Sequence, residues 1–105
     1  RLNPMSEGHV IQGHPFREGG DAMTIVEEIL AERLRQDKRW REQNHHPFVW
    51  LVILGEEKGE ADKAALEATY GDDPWSNYRE ELIQTAAVAL AAIESLDRGK
   101  WRRTI

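Results

Sequence analysis

Glu57 and Glu60 stand three positions apart in the chain. On a helix, residues at that spacing share one face, about one turn apart. Two carboxylates that close repel each other, by about a few tenths of a kcal/mol on an exposed helix. The arrangement becomes favourable when a cation lies between them. Carboxylate oxygens suit a hard divalent ion, Mg²⁺ first and Mn²⁺ as its substitute. Glu56 is rotated by about 100° from Glu57 in helical geometry and can serve from the flank. Further along, Glu81 and Gln84 repeat the three-residue spacing, with Glu80 beside them. The plainer reading of such a cluster is a solvated acidic helix face.

The acids form a block. The chain has 105 residues, 14 Lys+Arg against 19 Asp+Glu, net charge −5 and no cysteine. Residues 1–55 are net −1, residues 56–81 net −6 and residues 82–105 net +2. Without cysteine there is no disulfide scaffold, thiolate metal site or cysteine nucleophile. The acidic balance argues against a nucleic-acid polymer, which is bound by basic patches. The length allows one domain with a modest core. No stretch is apolar enough for a membrane span. No charged-then-apolar leader opens the sequence, so the expected location is the cytoplasm.

Helices must position these acids. Residues 1–22 lack a sustained period and read as an extended arm. A helix is predicted from about Thr24, with Glu27 completing a capping box. Ile25, Ile29, Leu30 and Leu34 recur at helical spacing, and the pattern runs to about Trp40. A second helix is predicted from Pro47 or Phe48 to about Tyr70, because proline suits a first turn. Gly71-Asp72-Asp73-Pro74 then stops it. Ser76 or Asn77 is expected to cap a third helix, from Tyr78 to about Leu96, stopping near Gly99. Its middle, Leu82 to Ile93, is apolar almost all round, which calls for burial on more than one side. Two other helices barely suffice to cover it, so a partner subunit is expected. Residues 98–105 read as a basic tail without assigned structure. No alternating run of useful length exists, and the fold class is all-α.

A short turn between helices two and three makes them antiparallel neighbours. Glu60 lies about ten residues before Gly71, and Gln84 about ten after Pro74. Glu57, Glu60, Glu81 and Gln84 can therefore meet at one level. Gly59 inside a helix costs about 1 kcal/mol relative to Ala, and its benefit is room for a close neighbour, a helix or a ligand. Lys63 lies three residues past Glu60 and suits either a phosphate contact or an intrahelical ion pair. Trp40 and Trp50 can stack on a nucleobase or fill a core. Arg35, Lys38 and Arg39 form a basic run on the first helix, read as a solvated face. His45 and His46 read as loop residues, His9 and His14 as arm residues, and none as a metal ligand.

These segments resemble a family. Gly55-Glu56-Glu57-Lys58-Gly59-Glu60, followed by Glu80-Glu81-Leu82, resembles the EExxE…ExxD signature of the MazG-like all-α nucleoside triphosphate pyrophosphohydrolases. The upstream segment from Glu32 to Gln43 supports the match. The stretch from Arg79 to Leu90 is similar to the closing helix of small bacterial and phage MazG-like proteins. The likeness covers residues 25–97, and the domain is placed at 23–97. It implies an antiparallel helical bundle completed by oligomerisation, as a homodimer or a dimer of dimers. It also implies Mg²⁺-dependent hydrolysis of nucleoside triphosphates to the monophosphate and pyrophosphate. By position, Glu57, Glu60 and Glu81 are the implied metal ligands. Glu56 is a second ligand or the base that activates water. Gln84 replaces the final aspartate of the signature, and its amide oxygen can ligate a cation without adding charge.

The expected function is therefore removal of unwanted (deoxy)nucleoside triphosphates, with catalytic residues Glu56 and Glu57. Lys63, Trp40 and Trp50 are the candidate substrate contacts. The competing reading is a helical regulatory or oligomerisation module that binds nucleotide or metal with little or no turnover. A di-iron bundle is disfavoured, because its Glu-x-x-His pairs are missing.

Overall fold

The computed structural model describes the backbone of residues 23–104 and the side chains of residues 23–102. The predicted arm at 1–22 lies outside the described residues. Among the described residues three α-helices follow in order: α1 (Ile25–Trp40), α2 (Pro47–Tyr70) and α3 (Trp75–Arg98). A 3-10 turn, Lys100–Thr104, closes the described chain where the sequence assigned no structure. Among the described residues there is no strand, and no helix is long and apolar enough to cross a membrane.

Local chemistry explains most of the boundaries. Thr24 Oγ1 accepts the Glu27 N–H at 3.1 Å, and Glu27 Oε1 accepts the Thr24 N–H at 2.8 Å. This is the predicted capping box. Pro47 opens α2, and His46 caps it: the ring Nδ1 accepts the Phe48 N–H at 3.1 Å. A residue read only as part of a loop thus has a defined local task. Helix α3 begins at Trp75, ahead of the expected Tyr78, and neither Ser76 nor Asn77 caps it. Pro74 stands at the cap position, and its ring restricts φ to values compatible with helix entry. Gly99, at φ 75°, ends α3, and its N–H donates to the carbonyls of Ser95 and Leu96. The left-handed conformation there favours glycine.

Helix α3 is the element against which both others pack. The buried apolar residues are Trp50, Ala61, Ala64, Ala87, Val88 and Ala91. Trp50, Val88 and Ala91 form the central cluster, with Ile53, Leu54 and Ala92 packed on it. Four of the six are alanines, so the core is thin and the helices lie close. Polar ties hold α1 to α3. Arg79 donates to both carboxylate oxygens of Glu28, at 2.7 and 2.9 Å. Arg33 bridges Glu94, at 2.6 Å, and Asp37, at 2.8 Å. Beyond α3, hydrogen bonds from Lys100 and Asn44 hold the Glu42 carboxyl down to about 2.

Candidate functional site

Glu57 lies on the half-buried side of α2, in line with Trp50, Ile53, Ala61 and Ala64. Burial pushes its carboxyl above the usual carboxylate range, and the charges of Glu81, Glu60, Glu32 and Glu56 push it further. Burial also raises Glu81, followed by the charges of Glu60 and Glu80. Glu57 and Glu60 on α2 and Glu81 on α3 thus share one electrostatic neighbourhood. Glu60 is at the exposed rim. Gln84 is half-buried, and its backbone carbonyl accepts Gln36 Nε2 of α1 at 3.5 Å.

Helix α1 adds an acid that sequence reasoning did not assign to the site. Glu32 acts on Glu57 through space, and its side chain is only 16% exposed. It is paired with Arg35 at 2.7 Å. The signal was present, since Glu32 opens the upstream segment of the resemblance. Nothing local marked it, because its neighbour is on another helix.

The donor chemistry fits Mg²⁺. Each of three helices supplies carboxylate oxygen, and the raised carboxyls of Glu57 and Glu81 are those that a cation would relieve. As placed, no three His, Asp or Glu side chains among the described residues close into a metal-holding group.

A cavity of about 290 Å³ adjoins Glu57. Trp40, Arg41, His45, Trp50, Glu57 and Val88 are among the residues that line it. Trp50 is buried and Trp40 is 56% exposed, so the first belongs to the core while the second forms an open wall. His45 packs edge-on against Trp50, with ring centroids 5.1 Å apart. Arg41, at φ 65°, has a positive φ otherwise seen here only at Gly99 among the described residues. Such strain in a non-glycine residue costs about 1–3 kcal/mol and is concentrated at functional sites. The two candidate stacking residues and the candidate metal ligand therefore share one cavity.

Lys63 is not part of it. It is exposed, and helical geometry puts it some 240° around the axis from Glu57. It makes no ion pair with Glu60; the pair on this helix joins Lys58 and Asp62 at 2.9 Å. In the basic run of α1, Arg35 is held by Glu32, and Arg39 stacks over Trp40 at 5.0 Å.

No protein-family model, curated protein or solved structure matches this chain.

Proposed function

We propose that this chain hydrolyses (deoxy)nucleoside triphosphates to nucleoside monophosphate and pyrophosphate with Mg²⁺, as a nucleotide-pool house-cleaning enzyme. The observation that carries the reading is the shared neighbourhood of Glu57, Glu60, Glu81 and Glu32 beside the Trp40–Trp50 cavity. The resemblance of the same segments to MazG-like pyrophosphohydrolases supports it. A triphosphate is strongly anionic, so an acidic site requires metal to reverse the local field. Mg²⁺ supplies charge neutralisation at the phosphate oxygens. The chain's part is to hold it through Glu57, Glu60 and Glu81, with the Gln84 amide as a neutral donor. Trp40 offers a ring face to the base, and Trp50 fixes the cavity's inner wall. Glu56 is exposed and adjacent to Glu57; in this reading it would take the proton from water.

The test is pyrophosphate release from the eight common NTPs and dNTPs with Mg²⁺. Release with at least one substrate is expected, and none with all eight overturns the hydrolase reading. Gln84 favours one second reading, a module that binds Mg²⁺ and nucleotide without turnover. Calorimetry showing Mg²⁺ binding lost in Glu57→Gln, with no pyrophosphate formed, selects it.

A further inference from the structure

Helix α2 carries a second apolar face that no described residue covers. Phe48, Val52, Leu66 and Tyr70 are 73, 63, 58 and 83% exposed. With Gly55 and Gly59 between them, they recur at steps of three, four and seven, the spacing of a helix-pairing seam. A Cβ placed on either glycine would meet nothing within 4 Å. Each glycine inside a helix costs about 1 kcal/mol relative to Ala, and no neighbour among the described residues uses the room it leaves. The face points away from α3, since Trp50, Ala61 and Ala64 are buried on the other side.

The residue order on this face is self-complementary. We propose that α2 pairs antiparallel with α2 of a second copy of this chain, across a two-fold axis at Gly59. Positions equally far from residue 59 then meet. Phe48 lies against Tyr70 of the second copy, and Val52 against Leu66 of the second copy. The glycines at the centre let the two backbones approach closely, as small residues do at helix crossings. Charge selects this register. Glu56 and Lys63 flank the seam on one side, both exposed and neither in an ion pair among the described residues. Glu56, three residues before Gly59, and Lys63, four after it, are on the same flank, so the antiparallel register brings Glu56 of each copy within one residue step of Lys63 of the other; Asp62, level with Glu56, is on the opposite flank and paired with Lys58. A two-fold contact repeats each such match twice, as an isologous interface requires. The pairing deepens the oligomerisation included in the reading above, and it does not depend on turnover.

The experiment uses the full chain, whose lack of cysteine makes single-cysteine variants clean probes. Light scattering should give twice the 12.1 kDa protomer mass. Gly59→Arg should weaken the dimer by on the order of tenfold or more with helical circular dichroism unchanged, because the side chain enters open space in the protomer. Under oxidation, Val52→Cys mixed with Leu66→Cys should cross-link, and neither alone should. The swap Glu56→Lys with Lys63→Glu should restore a dimer that either single change weakens. A monomer at every concentration tested, a dimer indifferent to Gly59→Arg, or self-cross-linking of Val52→Cys would overturn the seam. Pyrophosphate release is read separately. A dimer without turnover leaves the seam standing, and a monomer with turnover removes the seam and leaves the hydrolase.

Discussion

Helix α2 is apolar on two opposite faces, and they differ in what covers them and in where the acid sits. The side packed on α3 carries Trp50, Ile53, Ala61 and Ala64, and it also carries Glu57, whose carboxyl burial raises. The side facing water carries Phe48, Val52, Leu66 and Tyr70. In an ordinary amphipathic helix the acid would be outside and the phenylalanine inside. Here one carboxyl is half-buried among apolar residues, and four large apolar side chains face outward. A charge held at a half-buried position asks for a counter-charge, and an apolar stripe held in water asks for a surface. The proposed cation would answer the first need, and the proposed second copy the second.

Four measurements bear on that contrast. The largest concerns the acid face. Glu57→Gln or Glu60→Gln should lower Mg²⁺-dependent pyrophosphate release by about 100-fold or more, since each removes the charge of a proposed metal ligand. Activity within a few-fold of wild type would mean that this face holds no catalytic metal. Next, Mg²⁺ at about a hundred times its dissociation constant should stabilise the wild-type fold by about 2.7 kcal/mol, and Glu57→Gln should lose most of that gain in thermal melts. The third outcome separates the faces by packing. Ala64→Leu, on the inner side, should cost about 1–3 kcal/mol through overpacking. Val52→Asp should cost the diluted protomer less than about 0.5 kcal/mol, as a surface change does. Equal costs in urea titrations would erase the distinction.

The smallest outcome is a pH effect without divalent ions. Glu57 and Glu81 are raised in the fold, so the folded chain holds those protons more tightly than the unfolded one. Their contribution to stability is present below the ordinary carboxylate range and is lost as pH rises through their raised values. Glu57→Gln, fixed neutral, should flatten that loss and gain about a few tenths of a kcal/mol at pH 7. Glu42 acts in the opposite sense. Held at about 2, it contributes above the ordinary carboxylate range and loses that contribution as pH falls towards 2. Melting temperature against pH, for wild type and Glu57→Gln, reads both slopes.

Much of the fold was legible because helix ends are written locally. Thr24 with Glu27, Pro47 and Gly99 each act within four residues of themselves, so spacing alone located them. The same locality explains a miss. Pro74 starts α3 through its restricted φ and needs no side-chain cap, so a search for a capping Ser or Asn placed the start too late. His46 was passed over because a ring nitrogen accepting a backbone N–H has no composition signal. Of the site, the level shared by Glu57, Glu60 and Glu81 followed from counting residues on either side of one short turn. Glu32 did not, since α1 reaches that level by packing on α3 and no chain distance encodes it.

Hydrophobic period, caps and charge are properties of neighbouring residues, so the three described helices, most of their ends and the acidic block at 56–81 are written along the chain. Which side of each helix is covered depends on how the helices pack. The alternatives for Trp40 and Trp50 separated on that ground: α3 closes over Trp50 and leaves Trp40 open, although both line one cavity. The same packing sends Glu57 inward and Gly59 outward, two residues apart on a helix that turns about 100° per residue. Burial is a sum over distant elements, and spacing along one chain cannot supply it.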